Sequence, residues 1–180
     1  MDKKPVVYIA DPECFQPDGL QLAQAAVALC EKYGFEGISP VLGHPLGDEI
    51  DFSQRKAYAA KQIFNNNIRY INHCDLVIAN VNNFRGWEPD GGTCFELGYA
   101  YTQGKKLYGF MADTRPCYEK YIGNIHYDAP FWRDDNGAFF ESGACNLMIS
   151  GPARIIEGEF EDALKKAAED FGFQEDKQCL

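Results

Sequence analysis

Asp75-Leu76-Val77-Ile78-Ala79-Asn80-Val81, and shortly after it Phe84-Arg85-Gly86-Trp87-Glu88-Pro89-Asp90-Gly91-Gly92-Thr93-Cys94-Phe95-Glu96-Leu97-Gly98-Tyr99-Ala100, decide how this chain folds. The first run is short, apolar and β-branched, the composition of a buried strand. The second ends in apolar residues at 95, 97, 99, 100 and 101 that run to Gly104-Lys105-Lys106, which predicts a helix over 93–103 with a glycine stop. The order is strand, loop, helix. In a parallel sheet the loop beyond a strand's carboxyl end is where ligands sit, and Glu96 falls there. Thr93-x-x-Glu96 also reads as a capping box, in which both side chains satisfy free N–H groups at a helix start. The surroundings are richer than a cap requires: Asp90, Gly91 and Gly92, which admit a ligand to the backbone, and aromatics on either side.

Outward from this stretch the chain alternates. Strands are expected near 5–10, 35–39, 75–81 and 106–112, and helices near 18–33, 53–73 and 93–103. Residues 112–150, rich in Asp, Gly, Pro, Asn and aromatics, read as a long irregular segment, followed by a strand over 154–157 and a helix over 159–171. This alternation predicts an α/β fold: a single domain with a doubly wound, mostly parallel five-stranded sheet flanked by helices, flavodoxin-like or Rossmann-like. The aromatics of the irregular segment, among them Tyr118, Tyr121, Tyr127, Phe131, Trp132, Phe139 and Phe140, favour an ordered flap or a subunit contact. All of 1–180 is assigned to the one domain, with 174–180 expected as a frayed tail.

A chain of 180 residues with 46% hydrophobic content can bury one substantial core. Its formal net charge of −10 argues against nucleic acid polymers and anionic membranes, both of which are held by clustered Lys and Arg; a small neutral ligand fits better. Seven cysteines, with no C-x-x-C pair, argue against a disulfide framework or zinc ribbon, so reduced cytoplasmic thiols are expected. Met1-Asp2-Lys3-Lys4-Pro5 leads into a strand too short for a signal or membrane segment, and no targeting elsewhere is expected. There is no P-loop and no G-x-G-x-x-G. No metal is expected: His44, His73 and His126 are far apart, and neighbours such as His73-Cys74-Asp75 rarely converge on one ion. No Ser-His-Asp or Cys-His arrangement is readable, and Cys94 reads as a small packed residue.

Asp90-Gly91-Gly92-Thr93-x-x-Glu96-Leu97-Gly98-Tyr99-Ala100, preceded by Phe84-Arg85-Gly86, resembles the signature of nucleoside 2-deoxyribosyltransferases. Val7-Tyr8-Ile9-Ala10 followed by Phe15 resembles the family's first strand and substrate-side loop. Asn67-Ile68-x-x-Ile71-x-x-Cys74-Asp75 resembles the helix before its third strand, and Asn146-Leu147-Met148 the segment that reaches a neighbouring subunit's site. The matches stand in the family's order over residues 6 to about 171. The resemblance implies a transferase without an added cofactor, moving 2-deoxyribose between purine and pyrimidine bases. Glu96 would be the nucleophile, forming a covalent deoxyribosyl enzyme, with the helix start helping to keep it ionised. Tyr8 would orient it. Asp90 would bind a sugar hydroxyl, and Asn146, with Met148, would complete a neighbour's site in a homodimer or larger homo-oligomer. Partners would be nucleosides and free bases.

Several of these positions have a plainer reading. Asp90 also suits a turn before Gly91-Gly92, Asn146 an ordinary loop, and Met148 core filling. Phe15 either stacks on the base or staples a helix start, and Arg85 either lines the sugar entrance or pairs with Glu88. Asn67 stands where some family members carry an aspartate near the base; an amide cannot deliver a proton. Base activation would then fall to Asp11, to water or to nothing, and Asp11 either contacts the base or shapes its turn. Two other functions suit the same residues: a 2′-deoxynucleoside 5′-phosphate N-hydrolase, disfavoured by the repulsion of a phosphate by Asp90, and a non-catalytic nucleoside- or nucleotide-binding module.

Overall fold

The computed structural model describes residues 3–51, 53 and 56–173. Five strands form one parallel sheet: β1 (Val6–Ala10), β2 (Glu36–Ile38), β3 (Leu76–Asn80), β4 (Lys106–Met111) and β8 (Arg154–Glu157), in the order β2-β1-β3-β4-β8. Their connections carry α1 (Gly19–Lys32), α2 (Lys56–His73) and α3 (Gly91–Tyr101), and α6 (Phe160–Asp170) closes the chain. The expected helix over 53–73 is seen from Lys56; residues 54 and 55, and the expected tail 174–180, lie outside the described residues.

The inner strands β1, β3 and β4 are buried on both faces, and their side-chain alternation sorts them into two layers. Val6, Tyr8, Ala10, Val77 and Ala79 pack toward α2 and α3, with Ile71, Leu97 and Ala100. Val7, Ile9, Leu76 and Ile78 pack toward α1 and α6, with Cys30, Leu164 and Ala167. Each fully buried Val, Leu or Ile among them is worth about 1.5–3 kcal/mol. The period-two register therefore turns Tyr8 toward α3, and pairing of Tyr8 with Val77 fixes its height in the sheet. At the other end of β3, the Val6 N–H donates to Asp75 Oδ2 at 2.8 Å, tying the strand starts together. Gly104 ends α3 at φ +68°, where an L side chain would be strained, and the Lys105 N–H returns to the Ala100 carbonyl.

The segment expected to be irregular is built. It contains α4 (Cys117–Lys120), α5 (Leu147–Ser150) and a small antiparallel sheet of β5 (His126–Asp128), β6 (Phe131–Arg133) and β7 (Phe139–Phe140). Its strands are two or three residues long, too short for periodicity to announce them. Aromatic pairs give the sheet its cohesion, with ring centroids 4.9 Å apart for Tyr118–Trp132 and 5.1 Å for Phe131–Phe139. Among the described residues no helix is long and apolar enough to cross a membrane.

Candidate active site

Strand order reverses between β1 and β3: the chain moves one way from β1 to β2 and the other way from β3 to β4 and β8. A crevice opens at such a switch point, beyond the carboxyl ends of the strands. Here it is a cavity of about 950 Å³, ample for a nucleoside. Of the residues singled out from sequence, Asp11, Phe15, Asn67, Asp90, Gly92 and Glu96 line it together.

Glu96 is the centre of the arrangement. The helix α3 starts earlier than its sequence suggests, at Gly91, with Asp90 as its N-cap: Asp90 Oδ2 accepts from the Thr93 N–H at 3.0 Å. The capping-box reading of Thr93 and Glu96 is thereby overturned. Glu96 sits a turn further on, and its Oε1 accepts from the Tyr8 hydroxyl at 2.6 Å and from Asn67 Nδ2 at 3.2 Å. Among the described residues no donor meets Oε2, and no partnerless side-chain oxygen is sealed from solvent, so Oε2 opens into the cavity. The arrangement grips one oxygen and offers the other.

Burial pushes the Glu96 carboxyl up to about 7, against the two hydrogen bonds that favour its charge and with a smaller upward push from Asp90. The expectation that the helix start keeps Glu96 ionised is corrected here, because the dipole's influence fades within the first turn and desolvation exceeds it. Tyr8 is fully buried; desolvation first, then the neighbouring Glu96 charge, drive its hydroxyl well above the usual phenol range, so it remains a donor.

Asp90 combines its two sequence readings. One oxygen caps α3, and the other accepts from no described group while the residue lines the cavity. Asp11 likewise shapes its turn, its Oδ1 accepting from the Glu13 N–H at 2.9 Å and from Asn80 Nδ2 at 3.2 Å. Burial raises the Asp11 carboxyl to about 6 despite those bonds. Arg85 does not line the cavity. Its guanidinium lies 4.9 Å from the Phe15 ring centre and 4.7 Å from that of Phe84, a cation–π stack at the rim, and no ion pair joins it to Glu88 among the described residues. Asn146 and Met148 also stand away from this cavity. Asn146 caps α5 by accepting from the Met148 N–H at 2.9 Å, and Met148 is 76% exposed, so it fills no core.

Sequence reasoning missed the wall opposite α3. Residues 39–50 form it, pinned by α2. Buried Asn66 holds Asp48 like a neighbouring strand, accepting from its N–H at 2.9 Å and donating to its carbonyl at 2.8 Å. Tyr70 accepts from the His44 N–H at 3.2 Å, and a Cβ on Gly47 would lie 2.1 Å from the Tyr70 hydroxyl. The signal was present as spacing, since residues 63, 66, 67 and 70 share one helix face. Glu13 was also missed; it lines the cavity, and burial with the charges of Asp11, Asp18 and Glu159 raises it to about 7. Among the described residues no group of three or more His, Cys, Asp or Glu side chains is placed to hold a metal ion.

The sequence model of the family described as nucleoside 2-deoxyribosyltransferase matches residues 7–172. The chain belongs to this family. Membership makes it an enzyme acting on N-glycosidic bonds. A solved structure, "2-desoxiribosyltransferase from Leishmania mexicana", is similar with a TM-score of 0.70 and 33% identity, over 92% of this chain and 97% of that one. A conserved protein from Enterococcus faecalis V583 shares the fold at a TM-score of 0.56 and 17% identity, over 92% of this chain and 99% of that one. In sequence, the protein called "Uncharacterized protein C191.05c" of Schizosaccharomyces pombe is 28% identical over 158 residues, 87% of this chain and 72% of that protein. The glutamate held by Tyr8 and Asn67 lies in the stretch 84–100, within the residues that the family model matches.

Proposed function

We propose that this protein exchanges purine and pyrimidine bases on 2′-deoxyribonucleosides through a covalent deoxyribosyl-Glu96 intermediate. The observation that carries the reading is the asymmetry of the Glu96 carboxylate, with both donors on Oε1 and Oε2 open to the cavity. An electron pair on Oε2 attacks C1′ as the C1′–N bond breaks and its pair departs with the base. A second base then attacks C1′ from the face the first one left, releasing Glu96, so two inversions give net retention. Tyr8 and Asn67 keep the carboxylate aimed through both steps. The free Asp90 oxygen binds a sugar hydroxyl, Gly92 lets the sugar approach the backbone, and Asp11 and Phe15 face the base. Asn146, presented on an exposed surface with Met148, completes the site of a neighbouring subunit in a homo-oligomer. The six free cysteines among the described residues accord with a cytoplasmic setting.

Nucleosides are favoured over 5′-phosphates because Asp11, Glu13, Asp48, Glu49, Asp90 and Glu96 line the cavity with no Lys or Arg among the described lining residues. The test is incubation with deoxyinosine, with and without free adenine, followed by chromatography. A new deoxyadenosine peak is expected. Hypoxanthine released at the same rate without adenine would mean hydrolysis instead, and turnover of deoxynucleoside 5′-phosphates alone would refute the nucleoside preference.

A further inference from the structure

Breaking an N-glycosidic bond leaves charge on the departing base, and a proton delivered to a ring nitrogen lowers that barrier. The groups that grip Glu96 cannot supply it. The Tyr8 proton is committed to Glu96 Oε1, and Asn67 has an amide. The geometry points to Glu13 as the acid that protonates the departing base and takes the proton back as the incoming base attacks, an assignment that rests on the transferase reading.

The cavity's other proton-bearing groups are occupied or misplaced. His44 accepts from the Leu46 N–H through Nδ1 at 3.3 Å and places Nε2 3.4 Å from Glu36. Asp48 is exposed and paired with Arg69 at 2.8 Å, and Glu49 is exposed as well. Asp90 caps α3 beside Glu96. Asp11 accepts two hydrogen bonds on Oδ1 that favour its ionised form and work against the burial that raises it, so it holds a proton less firmly than Glu13, which has no such bonds among the described residues. The Glu13 carboxyl, by contrast, accepts none among the described residues and lines the cavity on the β1 side, beside Asp11 and Phe15.

The backbone that carries Glu13 is fixed. Its N–H donates to Asp11 Oδ1, its carbonyl accepts from the Gln16 N–H at 2.8 Å, and that oxygen lies where a Cβ on Gly19 would be 2.3 Å away. Only glycine lets α1 begin so close. The charges acting on Glu13 are Asp11 from its own turn, Asp18 at the start of α1 and Glu159 before α6, all acidic and all favouring a retained proton. In the forward step the Glu13 O–H proton passes to a base nitrogen while the C1′–N electron pair moves onto the base. Glu13 is left as a carboxylate, ready to deprotonate the next base.

The test compares Glu13→Gln with the parent on two donors. One is deoxyinosine, whose base leaves slowly without a proton. The other is 7-methyl-2′-deoxyguanosine, whose base is already cationic. Read as release of the donor base in a single turnover, before any incoming base attacks, the variant is expected to lose about 10²-fold or more on deoxyinosine, to stay within about threefold of the parent on the methylated donor, and to lose the alkaline limb of its pH–rate profile. Equal losses on both donors would show a merely structural role, and no loss on deoxyinosine would show no role; either overturns the assignment and leaves the transferase reading standing. A parent that turns over neither donor would overturn both.

Discussion

Replacing Glu96 with glutamine should abolish exchange and stabilise the protein, and the two effects have one cause. Burial raises the Glu96 carboxyl from an ordinary 4.5 to about 7, so the folded state holds its proton more tightly than the unfolded chain does. Stability from this group is fully present below pH 4.5 and is lost as pH rises through about 7. Converted at 1.36 kcal/mol per pH unit, the ionised carboxylate costs the folded state about 3 kcal/mol once pH exceeds 7. Glutamine keeps an Oε1 acceptor for Tyr8 and Asn67 but carries no charge, so Glu96→Gln recovers that amount at pH 8 and less than about 1 kcal/mol at pH 5. For a chain of this length the gain at pH 8 corresponds to a rise in Tm of about 6–12 °C. Thermal unfolding of parent and variant across pH 5 to 8 measures it. A variant no more stable than the parent at pH 8, or a gap independent of pH, would refute the claim that the nucleophile is held against a desolvation penalty.

Tyr8→Phe removes the 2.6 Å donor to Oε1, so the acid limb of the pH–rate profile should move alkaline and kcat at pH 7 fall roughly 10- to 100-fold with KM little changed; an unshifted limb would contradict this. Asn66→Ala loses both bonds to the Asp48 backbone and should destabilise by about 1–3 kcal/mol, raising KM while sparing kcat, as denaturant unfolding and steady-state kinetics would show. Asn146→Ala should be inactive alone but regain activity when mixed with inactive Glu96→Ala subunits, since each supplies what the other lacks; failure of mixed assemblies to complement would place Asn146 outside a neighbour's site.

Much of this architecture was legible because strands and helices are written locally. The run at 75–81 and the alternation around it specify a parallel sheet, and the helix that follows puts Glu96 beyond a strand's carboxyl end whatever the rest of the chain does. Asn67 and Tyr8 were legible as candidates, though their joint grip on one oxygen was not, since they stand 29 and 88 residues from Glu96 in sequence. The cap of α3 was misread for a related reason: Asp90 and Thr93 both suit an N-cap, and only the packed helix start chose between them. The small antiparallel sheet escaped because strands of two or three residues have too little periodicity to register.

Sequence alone therefore determined the succession of the five parallel strands and their flanking helices, and the carboxylate placed beyond the end of β3, since hydrophobic period and turn chemistry act over a few residues; the strand order that opens the crevice came from the tertiary structure. Tertiary structure decided what that carboxylate is. The β1–β3 register brings the Tyr8 hydroxyl to one oxygen, the loop pinned by Asn66 and Tyr70 closes the far wall, and burial sets the proton affinities of Glu96, Asp11 and Glu13. Desolvation and long-range hydrogen bonds depend on which distant segments meet, and no local window of sequence contains them.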